Sequence, residues 1–415
     1  MAKEGMKFTR FYSGSTVCAP SRSVLMTGQH MGHTHVRGNA GGDMSRQSLR
    51  EIDITVAEKL KDAGYATALI GKWGLGETGQ EGHPLKQGFD YFYGYLNQVH
   101  AHNFYPEFLW RNQKKHILKN VVKPISEKPR AGFMGGAATK RVEYSHDLFT
   151  AEALTWIKAN KENPFFLYLP LTIPHANNEG TRMFGDGAEV PDYGIYEKEN
   201  WTKQDKGQAA MITRMDRDVG RLLDLLKELK IEENTLVMFT SDNGPHNEAG
   251  HNPELFKPAG PLRGMKRTLT EGGIRVPTLA WWPNTIEPNS ISDQPFYFGD
   301  LMATACDMSQ SDMPPHTDSL SFLPILKGKA EEQKRHKYLY WEFYERTFRQ
   351  AVVMEEWKLI RSGMDNQRLE LYDLKNDIHE DVNLIKEQPA VAQRMLSYME
   401  SAHVPHPNWT TPKRK

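Results

Sequence analysis

Tyr65-Ala66-Thr67-Ala68-Leu69-Ile70-Gly71-Lys72 is an apolar, β-prone run of strand length that ends on a cation. It predicts a buried strand over Tyr65 to Ile70 whose carboxyl end carries Lys72 to a sheet edge. Pro164 to Leu169, Thr235 to Thr240 and Val276 to Trp282 read the same way. Helical stretches lie between these runs. From Gln204 to Lys230, the residues Met211, Met215, Val219, Leu222, Leu226 and Leu229 recur at helical spacing, and Asp147 to Asn160 is closed by the Asn163-Pro164 break. Strands alternating with helices imply an α/β fold, a central mostly parallel sheet flanked by helices. From Lys337 the texture changes to short aromatic strands (Tyr338 to Phe343, then Gln350 to Ile360), a turn at Leu371 to Leu374 and a helix near Val391 to Ala402. That pattern predicts a small antiparallel sheet with one helix. The expected division is a main domain over 1–330 and a C-terminal subdomain over 331–415, with surface loops at Asn120 to Thr139 and Gly180 to Asn200.

Composition narrows the class of function. Lys+Arg 52 equals Asp+Glu 52 over 415 residues. No basic stripe is available for a phosphate backbone, so nucleic acid is not expected as a partner. No apolar run approaches the ~18 residues of a membrane span, so no membrane partner is expected either. Two cysteines, Cys18 and Cys306, exclude a disulfide scaffold and an all-cysteine metal site. The segment Met1 to Gly14 shows no basic-then-apolar leader pattern.

The reactive segment is Cys18-Ala19-Pro20-Ser21-Arg22, followed by a short helix over Ser23 to Thr27 and then Gly28. Pro suits the first helical position, which places Cys18 at a helix N-terminus, where backbone amides and the macrodipole favour an anion. Two readings stand: a thiol of lowered pKa, or a small buried hydrophobe. Ser241-Asp242-Asn243-Gly244 follows the Thr235 to Thr240 strand. Its Asp242 and Asn243 are hard oxygen donors suited to Ca²⁺ or Mg²⁺, and the Asn-Gly turn lets adjacent side chains converge. Lys72, His175 and Lys266 reach the same rim, and carboxyl ends of parallel strands are where α/β sheets bind ligands. Each of them alone also reads as an ordinary loop residue. Asn97 to Tyr105 holds His100, His102 and Asn103, a composition suited to a sugar and equally to a packed loop.

These strings together resemble the sulfatases. Cys18-x-Pro-Ser-Arg22 is similar to that family's nucleophile motif, and Gly71-Lys-Trp-Gly-Leu-Gly76 resembles its second motif. Ser241 to Gly244 resembles its metal-binding turn, and Leu262 to Lys266 with Glu271 to Pro277 resembles its late lysine segment. Leu371 to Leu374 resembles part of its C-terminal subdomain. The resemblance implies an alkaline-phosphatase-like fold and a sulfuric ester hydrolase. It implies that Cys18 is oxidised to formylglycine by a formylglycine-generating enzyme, and that Ca²⁺, or Mg²⁺, is held by residue 18, Asp242 and Asn243. It further implies that Lys72 and Lys266 contact sulfate, that His175 faces the leaving-group oxygen, and that Arg22 orients the formylglycine. One hydroxyl of the hydrated aldehyde attacks sulfur and expels the alcohol, and deprotonation of the other releases sulfate. His100, His102 and Asn103 are expected to bind a sulfated carbohydrate or aryl sulfate.

Two departures bear on this reading. The family usually has His after Lys-Trp, where this chain has Gly74; His33 and His246 are the candidates to replace it. Met1 to Phe8 resembles a stretch just downstream of the family's first strand and its paired aspartates, so the chain is expected to start late, with the full-length protein periplasmic or secreted. A phosphonate or phosphate ester hydrolase of the same superfamily, and a non-catalytic binder of sulfated glycans, are the competing functions. Gly74-Leu-Gly76-Glu-Thr-Gly79 matches a dinucleotide fingerprint, but Gly82, Pro84 and Gly88 leave no helix after it. Zinc at His30, His33 and His35, or at His100 and His102, lacks the further ligands of closed sites.

Overall fold

Ala66–Lys72 forms the strand predicted at Tyr65 to Ile70. The computed structural model describes residues 1–39, 44–129, 132–345, 347–364 and 368–411. It sets this strand between Tyr91–Tyr95 and Phe165–Tyr168, parallel to both. Phe108–Arg111 and Lys114–Ile117 continue the sheet beyond Tyr91–Tyr95 in antiparallel order. A second sheet runs Val237–Phe239, Thr278–Trp281, Met6–Phe8, Ser290–Ser292, its first two pairings antiparallel and its last parallel. The architecture is α/β with mixed sheets, and both parallel pairings of the first sheet are made by the strand that ends at Lys72.

Phe165–Tyr168 and Val237–Phe239 are edge strands of their two sheets. Alternation along them sends Phe165, Leu167 and Val237 to one face, into a cluster with Leu225 and Leu226 of the Lys203–Glu228 helix. Phe166, Tyr168 and Met238 go to the other face, against the large cluster that holds Phe8, Val24 and Trp73. The side chains of these two strands are half-buried, so each contributes only part of the roughly 1.5–3 kcal/mol of a fully buried apolar residue. The Lys203–Glu228 helix starts at Thr202, whose hydroxyl accepts the Asp205 N–H, and the Ser145–Asn160 helix covers the same face. Cys18 is itself the first residue of a wholly buried helix, Cys18–Thr27. Pro20 is therefore the third helical residue, not the first, and its missing N–H falls among those a helix start leaves unpaired anyway.

The C-terminal sheet is an antiparallel meander of Leu339–Phe343, Arg349–Met354, Trp357–Ser362 and Leu369–Asp373. The run expected over Gln350 to Ile360 is thus a hairpin that turns at Glu355, with φ of 54°. The turn expected at Leu371 to Leu374 lies mostly inside the last strand. Leu339, Trp341, Phe343 and Val353 join the main core, while Tyr340, Val352 and Leu371 pack on Met395, Leu396 and Met399 of the Pro389–Ala402 helix. The polar stretches expected as loops also hold structure: Val121–Pro124 pairs with Gly136–Lys140, and Asn178–Phe184 is a short helix. Val121–Pro124 is exposed on both faces and carries no alternation to read, and the helix is set by the Asn177 cap rather than by an apolar stripe. Among the described residues no helix is long and apolar enough to cross a membrane.

Candidate active site

Cys18 is buried at its helix start with Sγ 3.8 Å from Asn243 Oδ1. Arg22, one turn on and 2% exposed, is held on three sides. Its Nε donates to the Trp73 carbonyl at 2.7 Å, Nη1 to Asp242 at 3.1 Å, and Nη2 to Gln98 Oε1 at 2.7 Å. Asp242 and Asn243 follow the Val237–Phe239 strand, and the turn docks closely: a Cβ on Gly244 would lie 1.8 Å from the Gly272 carbonyl. Asn243 Nδ2 donates to the Gly244 carbonyl at 2.8 Å, which leaves Oδ1 facing Cys18. A carboxylate and an amide oxygen beside residue 18 fit a hard cation of the Ca²⁺ or Mg²⁺ type, as part of its oxygen shell.

Lys72 ends its strand 5% exposed, and its ammonium has no hydrogen bond or ion pair among the described residues. Burial lowers its pKa to about 8, while Cys18 and Asp242 pull the other way. Lys266 Nζ donates to His175 Nε2 at 3.0 Å and to Glu248 at 3.1 Å. His175 Nδ1 donates to the Ala176 carbonyl at 2.8 Å, so Nε2 is its acceptor nitrogen. Burial, then the Lys266 and Lys72 charges, hold this imidazole well below the ordinary histidine range. Glu248 also accepts from Arg267, and Arg267 Nε donates to Glu345 at 3.3 Å. Asn39 closes the chain, donating to Glu345 at 3.0 Å and accepting from Gln98 at 2.7 Å. A continuous polar chain thus runs from Arg22 through Gln98, Asn39, Glu345, Arg267 and Glu248 to Lys266. Glu345 brings the turn after Leu339–Phe343 to the rim.

Of the residues expected to bind substrate, the structure brings His102 to this wall. Its ring lies parallel to that of His175, 5.2 Å apart and 8° from coplanar. His100 stands elsewhere: it is buried among Tyr95, Phe108 and Phe133, the last stacked at 4.2 Å, and burial pushes its pKa to about 3. Packing among these rings, with the Glu107 carboxylate 3.9 Å from Nε2, leaves it a core side chain. Asn103 is also buried, and its Oδ1 accepts the Tyr105 N–H at 3.0 Å, which shapes the turn. The His30–His35 cluster separates. His33 and His30 gather on Asp318, with His30 Nδ1 already accepting the Gly32 N–H, while His35 pairs with His406.

Residues 1–311 match the family model described as Sulfatase. The chain belongs to the sulfatase family. Residues 265–403 also match the model N-sulphoglucosamine sulphohydrolase, C-terminal. An arylsulfatase of Hemicentrotus pulcherrimus is 32% identical over 76% of this chain, and an N-acetylgalactosamine-6-sulfatase of Canis lupus familiaris 32% identical over 79%. The chain spans 53% and 60% of the lengths of these two relatives. The crystal structure of Ps i-CgsB in complex with k-i-k-neocarrahexaose superposes with a TM-score of 0.76 at 26% identity, covering 96% of this chain and 85% of that one. The fold of this sulfatase-family chain is alkaline-phosphatase-like.

Within this sulfatase-family site, Gly74 has a structural account. Its φ is +72°, and a Cβ there would lie 2.9 Å from Arg22 Nη2 and 3.3 Å from Gln98 Oε1. The guanidinium and the amide occupy the space a larger residue would need. Neither proposed replacement stands beside Cys18 by its contacts. His33 is paired with Asp318 at 2.9 Å, and His246 uses both nitrogens, Nε2 toward the Pro174 carbonyl and Nδ1 from the Glu248 N–H. Gln98, Glu179, Glu248, Arg267 and Glu345 were not singled out in the sequence. Only Arg267, adjacent to Lys266, and Gln98, in the Asn97 to Tyr105 stretch, had a local signal.

Proposed function

We propose that this chain is the catalytic part of a sulfatase that hydrolyses sulfate monoesters of carbohydrates, with Cys18 carried as formylglycine and a divalent cation, Ca²⁺ in the first instance, at residue 18, Asp242 and Asn243. The observation that carries the reading is Lys72: a buried ammonium without a counter-ion, next to a helix N-terminus that bears Cys18, with Lys266 opposite. A buried cation without a partner costs stability unless an anion completes it, and a sulfate ester is such an anion. The formylglycine, once hydrated, supplies the oxygen nucleophile, and the cation supplies positive charge that favours its ionised form.

The chain's own residues do the rest. Lys72 and Lys266 hold the non-bridging sulfate oxygens and offset the charge that builds on them. Arg22, fixed by Trp73, Asp242 and Gln98, orients residue 18. His175 stays neutral and accepts a hydrogen bond from the Lys266 ammonium at its Nε2, so Lys266, oriented by His175, is the acid placed to protonate the departing alcohol. The domain division at residue 330 is kept as part of the proposal, with Glu345 as the C-terminal subdomain's contribution to the rim. A carbohydrate substrate is supported by the relative named N-acetylgalactosamine-6-sulfatase and by the oligosaccharide complex of Ps i-CgsB. An exported location, periplasmic or secreted, and maturation by a formylglycine-generating enzyme complete the proposal. The test is turnover of 4-nitrophenyl sulfate and 6-sulfated N-acetylgalactosamine against 4-nitrophenyl phenylphosphonate by matured protein. Faster phosphonate turnover would replace the sulfatase reading with a phosphonate hydrolase, and binding of the sulfated sugar without turnover would replace it with a glycan binder.

A further inference from the structure

His102 and His175 form a pair of parallel imidazoles, 5.2 Å between centroids and 8° between planes. Each is tied from behind through Nδ1. His175 donates to the Ala176 carbonyl at 2.8 Å, and His102 to Glu179 Oε2 at 2.9 Å. A carboxylate accepts only, so its partner nitrogen must carry the proton and the other nitrogen of a neutral ring is left as an acceptor. At His175 that acceptor is filled by Lys266. At His102 it is not: Nε2 has no hydrogen-bond partner among the described residues, although the side chain remains 13% exposed and reachable.

Glu179 is built for this task. It is 1% exposed, its carboxylate is buried against Gly135, and the His102 hydrogen bond keeps it ionised against the burial that would raise its pKa. A buried carboxylate committed to one imidazole fixes ring orientation and tautomer together. His102 in turn stays uncharged because burial, with Lys72 and Lys266 nearby, outweighs the pull of Glu179.

We propose that Glu179 is a positioning residue that holds His102 as the neutral Nδ1–H tautomer, so that His102 Nε2 accepts a hydrogen bond from an O–H or N–H donor beside the ester oxygen of the substrate. The inference rests on the sulfatase reading and deepens it. The site then selects alcohols that carry a neighbouring hydroxyl or amide donor, as a sulfated sugar does, over phenols that carry none. A site that hydrogen-bonds a substrate donor discriminates against analogues lacking it, because the acceptor that the bound analogue covers is left unpaired.

Two measurements test it separately from the sulfatase reading. In matured protein, the ratio of kcat/KM for 6-sulfated N-acetylgalactosamine to kcat/KM for 4-nitrophenyl sulfate should fall at least about tenfold in His102→Leu and in Glu179→Met, mainly through KM for the sugar, as loss of one hydrogen bond of about 1.4 kcal/mol implies. An unchanged ratio, whatever the absolute rates, overturns the inference while leaving the sulfatase reading intact. Absence of turnover on both substrates in the parent protein defeats the sulfatase reading instead. In that event, and in any case, long-range ¹H–¹⁵N spectra of histidine-labelled protein, with His102 assigned by its loss in His102→Leu, read the tautomer directly. They should show His102 protonated at Nδ1 and bare at Nε2, and in Glu179→Met shifted toward protonation at Nε2. A parent ring protonated at Nε2, or a variant spectrum with no change at His102, contradicts the proposal.

Discussion

Two buried lysines, Lys358 and Lys72, divide the molecule by purpose. Lys358 lies in the seam between the C-terminal sheet and the main core, fully buried, with Glu271 at 2.8 Å and Glu380 at 3.2 Å. Its partners are tied to their surroundings in turn. Glu271 also accepts from Tyr12 at 3.0 Å and Arg275 at 3.3 Å, and Glu380 accepts the Glu271 N–H at 2.8 Å. Lys358 holds Glu271 below the usual carboxylate range against its burial, whereas at Glu380 burial prevails and raises the pKa. Lys72, nearly as buried, has no such shell. Around it Lys72, Lys266, Arg22 and Arg267 face Asp242, Glu248 and Glu345, one cation in excess. The seam pairs its charges and serves stability, whereas the site keeps a charge unmet, as the proposed sulfate-ester site requires.

Removing each lysine should therefore do opposite things. Lys358→Met removes the cation shared by two buried carboxylates, leaving Glu271 with Arg275 and Tyr12 and Glu380, among the described residues, with only the Glu271 N–H, and should cost about 3–5 kcal/mol, read as a lower urea midpoint. The folded fraction should keep its turnover number. An unchanged midpoint would mean the seam is not the stabilising element. Lys72→Met should lower kcat/KM for a sulfate ester by about 10²–10³, the loss expected for one donor to a developing negative charge, with Tm equal or higher because an unpaired buried cation is gone. A fall in Tm comparable to that of Lys358→Met would erase the contrast.

Acid–base behaviour sharpens the same comparison. The Lys72 pKa is lowered from 10.5 to about 8, so between those values the unfolded chain binds more protons than the native one. Stability contributed at this residue therefore rises with pH across that window, while the cation proposed to receive sulfate is lost, and kcat/KM should fall above about pH 8. Lys72→Met should lack this part of the stability slope, whereas Lys358→Met should retain it. The smallest effect is expected at Gly74. Gly74→Ala forces a side chain into a left-handed backbone and against Arg22, which should cost about 1–2 kcal/mol by denaturation and shift Arg22 off residue 18.

The sequence disclosed what is local. Cys18 and Arg22 share a helix turn, Asp242 and Asn243 share a strand end, and Lys72 closes an apolar run, so spacing placed each of them on an element. Glu345, Glu179 and Asn39 come from separate turns and a short helix, and their approach to the site depends on how the C-terminal sheet and the Asn178–Phe184 helix dock. No spacing encodes that. His100 misled because a histidine among aromatics has the same composition in a sugar platform and in a core; burial among Tyr95, Phe108 and Phe133 decides between them. The pairing of Val121–Pro124 with Gly136–Lys140 was hidden for the converse reason, since the first strand is largely solvated on both faces and carries no hydrophobic period, and the second is buried through Gly136, Ala137 and Ala138, which offer no large apolar side chain to read.

Mass spectrometry of the peptide containing Cys18, from protein made alongside its maturation enzyme, addresses the central claim most directly. The expected result is a residue 18 with the mass of formylglycine or its hydrate, present in the fraction that releases sulfate from a sulfate ester. Sulfate release by protein in which residue 18 is entirely unmodified cysteine would contradict the account.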